Sequence, residues 1–179
     1  METNIKFRDL TKEEIKVRVG SINGNYVNLY IYTDPRTIMS ILDEAVGPMN
    51  WKCSHKTING KIYCNIEIWD ETKKEWVSKD DVGDGNNDDD SKGESSDSLK
   101  RAAIVWGIGR ELYIPNISAY ANRVEVVEAN GKKKCTDSFY VDNVKIENKK
   151  IKAISIKSVK KKQVACVYDF TGDFPVKKL

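Results

Sequence analysis

The sequence predicts an α+β fold: an antiparallel β-meander packed on a long helix, a β-β-β-α core, with a basic β-ribbon at the C-terminal end. Three observations predict it. Asn59-Gly60 separates two runs that alternate apolar and polar residues, a strong hairpin signal. Further on, Leu99, Ala102, Ala103 and Trp106 recur at helical spacing on one face. Between Gly131 and Lys162 stand eleven lysines and three acids on alternating segments. The chain has 179 residues, 40% of them hydrophobic, with four Phe, four Trp and eight Tyr. That suffices for one cored domain over residues 1–179, with the core at about 8–120 and the ribbon at about 132–170.

The elements follow in order. Leu10-Thr11-Lys12-Glu13-Glu14-Ile15 carries a capping pattern, with Thr11 as cap and Glu14 reaching back, and predicts a short helix that stops near Gly20. Val17 to Ile22 leads into the turn signal Asn23-Gly24, and Tyr26 to Tyr32 alternates as a strand. Asp34-Pro35 opens a helix, as cap and first helical residue, whose apolar face is Ile38, Ile41, Leu42 and Ala45; Gly47-Pro48 ends it. A two-residue turn at Asn59-Gly60 makes cross-strand partners sum to 119. One face of that hairpin then holds Ile62, Cys64, Ile66 and Ile68 with Thr57, His55, Cys53 and Trp51, and is expected to pack on a core. His55 is thus expected as a packed core histidine. The opposite face, with Lys52, Ser54, Lys56, Lys61, Tyr63, Asn65 and Glu67, is expected to be wet or ligand-facing. Glu71 to Lys74 is a turn, and Glu75 to Lys79 starts the third strand. Gly83 to Asp90 reads as a polar loop, and Ser91-Lys92-Gly93-Glu94 as a capping box for the long helix. Gly107 and Gly109 weaken that helix and mark a bend or close backbone approach. After Pro115 the chain reads as irregular until Lys132-Lys133-Lys134. Three strands follow, Ser138 to Val144, Ile151 to Val159 and Val164 to Tyr168, with lysines on the exposed side.

Charge narrows the function. Net charge is +3, but residues 80–97 hold eight acids and one cation, Lys92, so that segment is −7 and the remainder +10. A basic body with one acidic segment favours an anionic partner, because fields act locally. Lysines suit phosphate as point charges, and few Arg, Asn or Gln forks accompany them, so binding without sequence preference is expected. Other classes are disfavoured. Asp84, Asn86 and Asp88 have the spacing of a calcium loop, but Asp89 stands where glycine is needed and Ser95 where glutamate is needed. Gly107-Ile108-Gly109 lacks the third glycine and the preceding strand of a dinucleotide site. With a single histidine no nucleophile–base pair can be assembled, so an enzyme is not expected. Cys53, Cys64, Cys135 and Cys166 form no C-x-x-C pair, so neither a metal nor a cofactor is expected. No leader pattern or apolar run approaching ~20 residues is visible, and a cytoplasmic protein with reduced thiols and no membrane contact is expected.

Several segments together resemble the Rad-fifty-two single-strand annealing proteins and their bacteriophage relatives, the Sak proteins. They are Val17-Arg18-Val19, Tyr30-Ile31, Asp34-Pro35-Arg36, Asn50-Trp51, Asn59-Gly60-Lys61 with Tyr63, and Asp81-Val82-Gly83-Asp84-Gly85. The most specific are Ser96-Asp97-Ser98-Leu99-Lys100-Arg101-Ala102 and Trp106-Gly107-Ile108-Gly109-Arg110-Glu111-Leu112-Tyr113, which look most like the phage branch. The resemblance covers residues 8–120. It implies protomers assembled into rings or filaments, single-stranded DNA in a basic groove, ATP-independent annealing in recombination and repair, and a host or phage single-strand-binding protein as a further partner. It implies that Lys100 and Arg101 line the DNA groove at the head of the long helix, with Arg18 beside them. Lys61 and Lys52 are candidate secondary contacts. Ile104 stands where the eukaryotic pattern has a further arginine, for which Arg110 is the candidate substitute. Asp88-Asp89-Asp90-Ser91 replaces a cationic helix of an outer DNA site. Two alternatives stand beside annealing: a passive single-strand coating protein, and a protein-interaction module acting as inhibitor or adaptor.

Overall fold

Asn59 and Gly60 both adopt positive φ, 52° and 75°, the pattern of a two-residue hairpin turn that keeps the right-handed strand twist. The strands they join pair as expected, from Trp51↔Ile68 to Ile58↔Lys61. The computed structural model describes residues 5–84, 91–129 and 131–171. Among these, the elements in chain order are β1 (Lys16–Asn23), β2 (Tyr26–Tyr32), α1 (Pro35–Val46), β3 (Trp51–Ile58), β4 (Lys61–Asp70), β5 (Glu75–Val82), α2 (Ser91–Trp106), β6 (Ile117–Tyr120), β7 (Val126–Ala129), β8 (Lys132–Cys135), β9 (Phe139–Glu147), β10 (Lys150–Ser158) and β11 (Val164–Asp169). The fold is α+β with antiparallel sheets. No helix among the described residues is long and apolar enough to cross a membrane.

The chain forms two compact units. One consists of Met1–Asp9 with Thr33–Arg110 and the other of Leu10–Tyr32 with Glu111–Leu179. The first holds both helices and the three-stranded meander β3-β4-β5. Asp34 caps α1, its Oδ1 accepting from Thr37 N at 3.1 Å, and Ile38, Ile41 and Leu42 are buried. Asp70 Oδ1 accepts from Thr72 N and Lys73 N to shape the β4–β5 turn. Helix α2 ends at Trp106 in a Schellman arrangement: Ile108 N donates to Ala103 O and Gly107 N to Ile104 O, both at 3.0 Å, with Gly107 at φ 102°. The glycines therefore terminate the helix and do not bend it from within.

The second unit holds a six-stranded antiparallel sheet, ordered β11-β10-β9-β1-β2-β6, and the small ribbon β7-β8. Tyr168 of β11 reaches the opposite edge strand, its hydroxyl accepting from Ser118 N at 2.9 Å and donating to Ser118 O at 3.2 Å. Asp137 organises the approach to β9. Its carboxylate accepts from Glu125 N, Ser138 N, Lys160 N and the Ser158 hydroxyl at 2.6–3.1 Å.

Several expectations are corrected. Thr11 to Glu14 form only a turn, with the reciprocal bonds Glu14 N to Thr11 O and Thr11 N to Glu14 Oε2, and the strand starts at Lys16. The β-branched alternation of Val17 and Val19 and a hydrogen-bonded partner in β2 outweigh a short helix, whose nucleation is costly. The expected capping box rests on the Ser91 side chain, outside the described residues; Glu94 Oε1 accepts from Ile62 N at 2.8 Å and so ties α2 to β4. The side chains of Ser91 and Lys92, and the calcium-like residues Asn86, Asp88 and Asp89, lie outside the described residues. The stretch after Pro115 is not irregular: β6 pairs with β2, and β7 with β8. The expected lysine ribbon is divided. Lys132-Lys133-Lys134 lie exposed on β8, whereas β10 is a covered strand with Ile151, Ala153, Ile154, Ser155 and Ile156 buried. Burial of consecutive residues there means both faces of the strand are covered. His55 is exposed, not a core residue, because β3 lies at the edge of its sheet.

Candidate nucleic-acid interface

Strand alternation gives the β3-β4-β5 sheet two unlike faces. One face holds the buried Cys64, Ile66 and Ile68 and is the one α2 packs on. Trp106 Nε1 of α2 donates to Ile66 O at 3.1 Å, and Lys79 Nζ stands 4.3 Å from the Trp106 ring centroid. The other face holds Lys52, Lys56, Lys61, Tyr63, Asn65, Trp69, Trp76 and Ser78, none of them buried. Trp69 and Trp76 are directly paired across β4 and β5, with ring centroids 5.5 Å apart at 63°. Lys52 Nζ lies 3.9 Å from the Trp76 centroid and 3.0 Å from Glu67 Oε2. The Ser78 hydroxyl donates to Asn65 Oδ1 at 2.8 Å. Lys56 and Lys61 are exposed and have no ion pair among the described residues. Glu67 and Asp80 are the acids on this face, so its charge is modest and its aromatic content is what distinguishes it.

The expected DNA-binding residues do not gather in one place. Lys52 and Lys61 share the aromatic sheet face. Lys100 and Arg101 sit on α2, which covers the opposite face. Lys100 Nζ is 3.7 Å from Asp97 Oδ1, and Arg101 Nε is 3.9 Å from Asp81 Oδ1 on β5. Both cations thus have a carboxylate in reach, in partly exposed pairs of the kind that hold weakly and exchange readily. Arg101 Nε is screened from solvent and has no hydrogen-bond acceptor among the described residues. Arg110 is turned onto the end of α2: its Nε donates to Ile104 O at 2.9 Å and Nη2 to Val105 O at 3.1 Å. That guanidinium satisfies helix carbonyls that have no intrahelical donor, and its charge suits the negative end of the helix dipole. Arg18 belongs to the other compact unit, exposed on β1 with its guanidinium 5.5 Å from the Tyr30 centroid.

Trp69 and Trp76 escaped the sequence reading as interface residues. The signal was present: continuing the alternation of Lys61, Tyr63, Asn65 and Glu67 along β4 places Trp69 on the wet face, and the four-residue turn places Trp76 opposite it. Two tryptophans on a polar face are the informative deviation, because large aromatics are ordinarily covered. The chain matches no protein-family model, no curated protein and no solved structure.

Proposed function

We propose that the chain binds single-stranded DNA without sequence specificity and promotes annealing of complementary strands without ATP, acting as a homo-oligomer. The observation that carries the binding step is the open face of β3-β4-β5. There the Trp69–Trp76 pair lies beside Lys52, and Lys56 and Lys61 stand farther along the same face, toward the hairpin turn. Every base presents a π-face to an aromatic ring, and every nucleotide presents a phosphate to a lysine, so such a surface holds a single strand irrespective of sequence. A duplex hides its base faces in the stack and cannot use the tryptophans in this way. The annealing step rests on the resemblance of residues 8–120 to the Rad-fifty-two and Sak proteins, and requires no nucleotide because base pairing supplies the driving force. Lys100 and Arg101, on α2 across the sheet from that face, are proposed as a second set of phosphate contacts, exchanging Asp97 and Asp81 for phosphate.

The deciding experiment is annealing of complementary oligonucleotides by purified protein without nucleotide, with solution mass measured with and without single-stranded DNA. Acceleration over the protein-free rate, lost on changing Lys100 and Arg101 to Ala, is the expected result. Binding without acceleration identifies a passive coating protein instead. A monomer under both conditions counts against a ring or filament.

A further inference from the structure

The sequence spacing of Cys53, His55 and Cys64 matches no common zinc pattern, but the β3–β4 register brings the three together. His55 and Cys64 are direct cross-strand partners, and Cys53 follows two residues away on the same face of β3. One donor atom from each residue lies within 4.8 Å of the other two, and the sulfurs of Cys53 and Cys64 are 3.3 Å apart. Cys64 is buried, Cys53 half-buried and His55 exposed, so the cluster runs from the core of the unit to its surface. The imidazole is oriented as well. His55 Nε2 stands 3.3 Å from the Ser95 carbonyl oxygen of α2. A carbonyl only accepts, so that nitrogen carries the proton and the lone pair is left on Nδ1. A backbone carbonyl in this role is the usual outer partner of a metal-binding histidine. Either thiol of the Cys53–Cys64 pair can donate to the other, so both sulfurs already face one another at the centre of the cluster.

We propose that Cys53, His55 and Cys64 form a site for a thiophilic divalent cation, with Zn2+ as its representative and the fourth coordination position left to solvent. Binding exchanges the two S–H protons for one Zn2+, so two protons are released and the two thiolates balance the ion's charge. Zn–S and Zn–N bonds of about 2.3 and 2.1 Å require tetrahedral sulfurs about 3.8 Å apart and a nitrogen about 3.6 Å from each. The sulfurs, at 3.3 Å, must part by about half an ångström, and the exposed His55 has room to complete the set. The ion ties β3 to β4 and, through the Ser95 carbonyl, steadies α2, which carries Lys100 and Arg101.

Co2+ is the probe, titrated into the reduced full-length protein. The expected result is a one-to-one complex with thiolate-to-cobalt charge-transfer absorption, bleached by added Zn2+. A double variant, Cys135→Ser with Cys166→Ser, keeps the spectrum. Cys53→Ser weakens the charge-transfer band, and His55→Ala lowers affinity at least about tenfold, the lower end of what even an outer-partner loss costs. The exposed His55 makes the second variant safe for the fold. The proposal is overturned if reduced protein with four titratable thiols gives no thiolate band, or if the band survives both Cys53→Ser and His55→Ala unchanged. It also fails if the pair forms a disulfide in air and the re-reduced protein takes up no metal. None of these readouts involves DNA, so failure here is separate from failure of the proposed function.

Discussion

Replacing Trp76 with Ala removes stacking surface from the proposed strand-binding face and leaves its phosphate contacts in place. Stacking of a base on an aromatic side chain contributes about 1–3 kcal/mol, so the variant is expected to bind single-stranded DNA about 5- to 150-fold more weakly. Salt dependence isolates the other component. On this face Lys52 has Glu67 at 3.0 Å, which leaves Lys56 and Lys61 as the cations free to displace counterions, and Lys100 and Arg101 are the further proposed contacts. Four phosphate contacts give a slope of log K against log salt of about −2.8, and therefore a loss of about 50-fold between 50 and 200 mM salt. Trp76→Ala should lower that line without tilting it. Lys61→Ala should flatten it by about 0.7. Fluorescence anisotropy of a labelled oligothymidine across a salt series reads both quantities, and circular dichroism of each variant checks that the sheet is intact. Affinity of Trp76→Ala within twofold of the parent refutes the stacking argument. A slope that ignores Lys56 and Lys61 moves the phosphate path elsewhere, with Lys132-Lys133-Lys134 the first group to test.

Other outcomes follow from the packing. Asp137→Ala leaves at least two largely buried donors without an acceptor and should cost about 2–4 kcal/mol, read as a lower midpoint in urea. Burial opposes the Asp137 charge, but the bonds from Ser158, Glu125 N, Lys160 N and Ser138 N outweigh it and hold the pKa below the usual aspartate value. The stabilisation is therefore complete above about pH 4, where the unfolded carboxylate is ionised, and is lost as pH falls through the lower folded value. Asp137→Asn should flatten that acid limb of the stability profile, and an unchanged limb would discount the network. At Gly83 an added Cβ would stand 2.4 Å from the Glu94 carbonyl oxygen, so Gly83→Ala should destabilise by about 1–3 kcal/mol in thermal unfolding. Arg110→Ala should lower stability by about 0.5–1.5 kcal/mol through the lost helix-end bonds while leaving DNA affinity unchanged. A drop in affinity at matched stability would return Arg110 to the interface.

The parts of the fold legible in the sequence are those set by local chemistry. Asn59-Gly60 specifies its turn, Asp34-Pro35 caps and opens α1, and the alternation along β4 assigns its faces, because each depends on neighbouring residues in the chain. The half of the candidate interface that follows from alternation, Lys52 and Lys61, was legible in the same way. The hairpin register also put Cys53, His55 and Cys64 on one face, but that their donor atoms converge, with the sulfurs 3.3 Å apart, shows only in the tertiary structure. Arg110 looked free because nothing local marks it as a cap; its partners, the Ile104 and Val105 carbonyls, exist only once α2 ends at Gly107.

By itself, then, the sequence determined the α+β class, the antiparallel meander and the cationic helix segment, all of which rest on short-range periodicity and turn stereochemistry. Only the tertiary structure decided that β10 is a covered strand, that β1 and β2 share a sheet with β9 to β11, and that His55 faces outward. The physical reason is that an alternating strand is compatible with an edge or a centre, and with one covered face or two. Which of these it takes depends on partners distant in the chain, whose selection leaves no local mark.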